Sequence, residues 1–410
     1  MSNLTVDITK DKPDIRITTE RATRQSARFK KIKFCIFLSG LSVFAQLYLF
    51  QPLLPTVAQH FGTSVGNSSL LVSSATIGMA LGLFFFGLKA DSFSRKKQMS
   101  FALIASAILT IISFQIQSLS LLITLGLMKG FVLAGVSSVA LAYLTEEVEF
   151  SVIGLAISMY LNGNTIGGMS GRILAIIFAG AFGWRNAVLL IGIESLFLGL
   201  LFWKFFPESQ LFQPQSIPVR FKLKQMKGFI SNSLMLPLFI IGGLMVGTFV
   251  SVYNYLTFRL EAKPFSLNHY WIAFIFLMYA FGVVGAIIAR KLSEHYKLRQ
   301  VLRGFLLLFL LGVGLMIFDN LALTITGLGL LTTAFFAAHT MASRMVAIYA
   351  VEGKSAATSL YWLFYYTGSG IVGSSSGYLL HATNWSVYTI SLMALIAVAC
   401  LLTISKEQKL

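Results

Sequence analysis

Residues 163–172 read GNTIGGMSGR, flanked by YL on one side and ILAIIFAG on the other. Four glycines and one arginine thus interrupt a run that is otherwise apolar. A phosphate-binding loop is the first reading to test, and it fails on context. A Walker loop needs Gly-Lys-Ser/Thr after a strand, and a dinucleotide fingerprint needs a preceding strand and an acid about twenty residues on. Neither surrounds these residues. Gly163, Gly167 and Gly171 recur at every fourth position, so they form one stripe of a helix. In lipid, helices have no hydrophobic drive to associate, and glycine lets two backbones come close enough for van der Waals contact. The stretch reads as a packing seam inside a membrane helix.

The rest of the chain agrees. Its 410 residues are 56% hydrophobic and only 11% charged, with mean hydropathy +0.78. Soluble domains carry about 25% charged residues. Apolar runs long enough to span a bilayer recur from one end to the other. The net charge of +17 falls in short clusters between those runs and not on one basic face, which excludes nucleic acid as a partner. Cys35 and Cys400 sit near opposite ends in apolar runs, with no CxxC pair and no zinc spacing. No metal, cofactor or disulfide framework is expected. The first apolar run continues to about residue 58, too long for a signal-peptide core, and no small-residue cleavage site follows it.

The predicted fold is an all-α integral membrane protein with twelve spans in two six-helix pseudo-repeats around a central cavity. The spans are placed at 34–58, 68–89, 98–117, 119–144, 151–181, 185–206, 234–259, 268–292, 300–318, 320–346, 355–381 and 384–405. A basic tail, 1–33, precedes the first half, 34–206. The linker 207–233 separates it from the second half, 234–405, and 406–410 form a short tail. The basic half of the linker reads either as a short amphipathic helix on anionic headgroups or as a solvated connection. Positive clusters lie in the first tail, at Arg95, Lys96 and Lys97, in the linker at Arg220, Lys222, Lys224 and Lys227, and at Arg290, Lys291, Lys297 and Arg299. The opposite face shows little beyond Arg185, Arg259 and Lys263. By the positive-inside rule both termini are expected in the cytoplasm.

An internal repeat supports the division. The turn after span two reads GLKADSFSRKK and that after span eight RKLSEHYKLR, which puts Glu294 203 residues after Asp91 (294 − 91). Span eleven carries GSGIVGSSSG from Gly368, 205 residues after Gly163 (368 − 163). Two charged turns and two glycine-rich spans recur at one period. At these residues the chain resembles the major facilitator superfamily. GLKADSFSRKK is similar to that family's signature turn, with Ser92 in place of the usual arginine and Ser94 in place of the usual glycine. The opening stretch is similar to the fifth-span motif of the antiporter branch. Gly154, Gly163, Gly167 and Gly171 keep its spacing, while Gly168 replaces a proline and Arg172 a final glycine. YLFQPLLP, YLTEE and FFAAHTMAS are similar to the YnfM-type group of bacterial inner-membrane transporters. The span-four arginine that many antiporters carry is Gly126 here, and Lys129 is the nearest charge.

The resemblance implies a monomeric, proton-coupled secondary transporter in the bacterial inner membrane, in contact with lipid and working by alternating access. Export of a small organic solute or drug is the leading expectation, and proton-coupled uptake of a sugar or organic acid is the alternative. An integral-membrane enzyme is disfavoured, because five scattered histidines make no HxxxD or HExxH pairing. Gly87, Asp91, Arg95, Glu146 and Glu147 are the expected inner gate, and Gly163, Gly167 and Gly171 the conformational seam. Spans one, four, seven and ten line the cavity in this family. They bring Gln46, Tyr48, Gln51, Lys129, Asn254 and His339 forward as site candidates, with Asn164 on span five. Tyr361, Tyr365 and Tyr366 recur at one-turn spacing and either pack or stack an aromatic solute. His339 and Glu194 are the candidate proton carriers.

Arg172 leaves three readings open. A mid-membrane charge costs roughly 2.5–3.5 kcal/mol on insertion scales. The residue either lines the cavity, snorkels outward, or pairs with Glu194, which lies as far after Gly183 as Arg172 lies before it. The signature turn generates the first prediction. Asp91→Asn should insert normally and yet transport poorly, measured as solute flux in reconstituted vesicles; full flux would show that the turn is a relic here.

Overall fold

The computed structural model describes residues 21–89, 94–212 and 218–404, and these are almost entirely helical. In the first half, α1 (Ala27–Leu47) leads through a 3-10 turn at Gln51–Leu53 into α2 (Leu54–Phe61). It is followed by α3 (Val65–Lys89), α4 (Arg95–Ser113), α5 (Leu119–Ser137), α6 (Ala140–Glu147), α7 (Ile153–Phe182) and α8 (Trp184–Phe205). A short helix, α9 (Val219–Ile230), occupies the linker and packs against α15, α10 and α3. The second half holds α10 (Met235–Glu261), α11 (His269–Ile275), a 3-10 stretch at Phe276–Ala280, and α12 (Phe281–Leu292). It ends with α13 (Leu298–Leu315), α14 (Leu321–Tyr349), α15 (Lys354–Ala382) and α16 (Trp385–Leu402).

Among the described residues, ten helical segments are long and apolar enough to cross a membrane by length and composition. Two further helices lie beside them in the bundle but fall short of that criterion. Helix α4 opens on Arg95, Lys96 and Lys97, and α15 is diluted by glycine, serine and tyrosine. Helix starts are set by side-chain caps: Ser26, Asn268, Asn320 and Asn384 each accept a bond from a first-turn amide. Spans one and four differ from their expected form. The first helix begins at Ala27 and not at residue 34, because Ser26 caps it. Spans one and four are each broken, at Tyr48–Leu53 and at Ser138–Val139, the first next to Pro52 and Pro55.

The two halves repeat one another in packing. The α7 seam presses on α1: a Cβ added at Gly163 would collide with the Phe37 backbone, and one at Gly167 with that of Leu41. In the second half Gly368 of α15 lies against the backbone of Gly243 on α10. Both seams are internal to a half, joining its first span to its fifth.

Between halves, α3 runs along α15. Ser374 donates to Ser73 at 2.5 Å, Tyr378 donates to Asn67 at 2.8 Å, and Gly87 lies close to Ser359. Beyond this line the halves meet chiefly at the end opposite the chain termini. There α2 and its 3-10 turn touch α10, and α7 touches α11.

A leucine at Gly167 must displace the Leu41 backbone. Gly167→Leu should therefore lower stability by about 1–3 kcal/mol, the usual cost of overpacking, or prevent assembly. Thermal unfolding in detergent measures this, and an unchanged midpoint would remove the seam as a structural element.

Candidate functional site

The break in the first span creates the centre of the molecule. Irregular backbone at membrane depth is tolerated only where protein buries it or where it lines a cavity. Here the turn puts Gln51, fully buried, between the halves. Its amide nitrogen donates to Asn254 Oδ1 at 2.7 Å and to the Val250 carbonyl at 3.3 Å, both on α10. Its amide oxygen accepts from Arg172 Nε at 2.6 Å. Asn254 continues the chain by donating to the Gly373 carbonyl of α15 at 3.3 Å. One polar relay thus runs from α7 through the broken span to α10 and α15.

Arg172 is 1% exposed. Besides Gln51 it donates to the Gly168 carbonyl one turn back. Its guanidinium lies 4.5 Å from the Tyr48 ring centre, 4.7 Å from that of Tyr279 and 5.8 Å from that of Tyr253. Cation–π contacts of this kind are worth about 2 kcal/mol or more when desolvated. Neither the snorkelling reading nor the Glu194 pair describes this arrangement. Glu194 is half-buried on α8, which packs on α4, α7 and α1 of its own half. In this conformation Arg172 is enclosed by the side chains around it.

Lys129 is 3% exposed on α5, with its ammonium 5.4 Å from the Phe50 ring centre, so it too sits beside the broken end of span one. Gln46 is satisfied inside the first half, accepting from Thr110 at 3.0 Å. Asn164 lies in the α1–α7 seam against Gly40 and not at the Arg172 centre.

One level toward the termini, an aromatic group surrounds His339 of α14. His339 Nδ1 and the Tyr361 hydroxyl are 2.9 Å apart. The Trp362 and Tyr365 rings stand 5.3 and 5.0 Å from the imidazole. Tyr361 is buried, whereas His339, Trp362 and Tyr365 are half-buried. Tyr366 is buried and stacks on Trp362. Phe335, stacked on Phe249 at 4.0 Å, links this group to Tyr279 and hence to Arg172.

Asp91 lies outside the described residues. Arg95 bonds Glu146 at 2.8 Å and stacks on Phe212. Glu147, fully buried, pairs with Arg28 and accepts the amides of Gln210 and Leu211 at 2.9 Å each. Ala22 joins the same knot through backbone bonds to Glu147 and Glu149. Among the described residues, these named contacts lie within the first half and its flanking segments. Gly87, by contrast, stands at the α3–α15 contact, where Lys222 of α9 donates to its carbonyl at 3.3 Å.

Sequence reasoning missed Tyr253 and Tyr279. Tyr253 adjoins the candidate Asn254, but Tyr279 is on span eight, outside the four spans expected to line the cavity.

The comparisons with known proteins fit this geometry. Residues 36–372 match the Major Facilitator Superfamily, and the chain belongs to that family. It is 35% identical over 385 residues to an uncharacterized transporter of Buchnera aphidicola from Schizaphis graminum, covering 94% of this chain and 93% of that one. It is 32% identical over 381 residues to the inner membrane transport protein YnfM of Escherichia coli K12, covering 92% and 90%. Two solved structures share the fold. An inward-facing, unoccupied bacterial homologue of the human lysosomal transporter Spinster has a TM-score of 0.74 at 14% identity, covering 92% of this chain and 95% of that one. The nucleoside transporter NupG has a TM-score of 0.68 at 13% identity, covering 93% and 100%. The protein is a multi-pass membrane transporter, and its relatives are transporters and not enzymes.

Replacing Gln51 with leucine removes the acceptor of Arg172 Nε and the donor to Asn254. An unsatisfied buried group costs about 1–3 kcal/mol, more when charged. Gln51→Leu should therefore lower the thermal midpoint in detergent, whereas Gln46→Leu, outside the relay, should lower it less; equal losses would refute the relay.

Proposed function

We propose that this chain is a secondary active transporter of the bacterial inner membrane, exporting a small organic solute by alternating access in exchange for protons. The observation that carries the reading is the Arg172–Gln51–Asn254 relay, a polar clasp that crosses between two halves which are each clamped internally. Transporters of repeated architecture bind their solutes at mid-membrane between repeats, often where a helix is interrupted. Positive clusters in the turns support termini on the cytoplasmic side. With that orientation, α2 and its 3-10 turn meet α10 at the outer end, and the aromatic group around His339 lies on the inner side of Arg172. Export is supported by the fifth-span glycine spacing, and His339 and Glu194 are the proton carriers proposed within the spans.

The test is flux in sealed vesicles of known orientation under an imposed pH gradient, with a panel of labelled small organic compounds. Saturable export that collapses with the gradient is expected. Accumulation in the opposite direction would establish the uptake alternative, and flux indifferent to the proton gradient would refute coupling. His339→Asn and Glu194→Gln should identify the carrier, since only its loss should abolish pH dependence while leaving solute exchange intact.

A further inference from the structure

Resting on that transport reading, we propose that the solute is an organic carboxylate bearing an aromatic ring. Its anion is held at the broken end of span one by Arg172 and Lys129, and its ring lies against Tyr365, Trp362 and His339. Two independent features of the site point this way.

The first is charge. Arg172 and Lys129 are both almost wholly buried, and both flank the Tyr48–Gln51 stretch. Arg172 is solvated by an amide oxygen, a peptide carbonyl and aromatic faces, and Lys129 stands near the Phe50 ring. Those groups lower the cost of holding a cation without cancelling its charge. Among the described residues no carboxylate forms an ion pair with either cation. Glu194, the described acid set farthest from the span ends, sits on the peripheral α8. Each cation therefore sits beside the broken stretch of span one in a low-dielectric setting, where Coulomb attraction to an anion is strongest. A cationic solute would be repelled there. A sugar would need free hydrogen-bonding side chains, but Gln51 and Asn254 are already engaged with each other.

The second feature is the aromatic wall. Ring contacts run without interruption from Tyr279, beside Arg172, through Phe249 and Phe335 to Tyr365 and His339. At the far end of this run His339, Trp362 and Tyr365 are only half-buried. Flat, partly exposed rings one level away from a cation offer a face on which an aryl group stacks while its carboxylate reaches the charge. A solute entering from the end that bears the termini meets the rings first and the cations at the closed end.

The experiment uses five probes on the purified full chain in detergent: benzoate, benzamide, benzyl alcohol, benzylammonium and cyclohexanecarboxylate. Affinity is read by titration calorimetry and thermal shift. Benzoate should bind saturably, the uncharged and cationic analogues at least about tenfold more weakly, and cyclohexanecarboxylate between them. Arg172→Gln and Lys129→Gln should each weaken benzoate by about tenfold or more while leaving benzamide unaltered. If Arg172→Gln does not fold, Arg172→Lys and Lys129→Gln carry the comparison, the lysine losing the planar fork but not the charge. Equal or tighter binding of benzamide or benzylammonium overturns the proposal, as does failure of both carboxylates to bind the wild type. Vesicle flux separates this from the transport reading. Saturable movement of benzamide but not benzoate defeats the carboxylate and keeps the transporter. Benzoate that binds through Arg172 and Lys129 but crosses under no gradient keeps the site and defeats transport.

Discussion

Two helices can share their backbone surfaces only where side chains are missing, and this constraint organises the molecule. In a bilayer the apolar side chains of one helix gain little by leaving lipid for those of another, so close packing has to supply the cohesion. The α7 glycines supply it against α1, and Gly243 with Gly368 supply it between α10 and α15. Each half is thereby fastened first span to fifth. Neither seam crosses between halves; the contacts that do cross include serine hydroxyls, single tyrosines, the Gln51 relay and Gly370 against Ile77. A molecule built in this way has stiff halves and a polar, adjustable boundary.

The charge at Arg172 depends on that arrangement. An arginine at membrane depth persists only where fixed dipoles replace its water. Gln51 can reach it because the first span breaks at Tyr48, and the break is affordable because protein on every side buries the loosened backbone. Removing the break would restore a regular helix and leave the guanidinium without its amide oxygen. Local irregularity in one span is thus the condition for stability in another.

Much of this was legible in the chain itself. Alternation of apolar runs and basic turns gave the spans, since both follow from the transfer cost of single residues. The four-residue glycine spacing announced the seam, and the offset of Gly368 from Gly163 announced its copy. The sequence also marked Arg172 as anomalous. It could not supply the arginine's partners, because Gln51 lies 121 positions away and Tyr279 sits on span eight, not one of the four expected to line the cavity. Matching depths along a hairpin suggested Glu194, but depth says nothing about the face a helix presents, and α8 turns toward α4. Pro52 and Pro55 were visible signs of the break in span one, overridden by the length of the apolar run.

The contact of α3 with α15 has a mechanical meaning. It runs the length of both helices, with small residues (Ser73, Ser374, Gly370) near its middle and Asn67–Tyr378 and Gly87–Ser359 toward its ends. When two stiff bodies tilt on a shared line, material near the fulcrum slides little and material at the rims travels far. Hydroxyls at the fulcrum can exchange partners through a slight roll, whereas the rim contacts must be released one at a time. Leverage is then set by where along the line the small residues sit, and a bulky side chain moved into their place would shift the axle before it blocked the stroke.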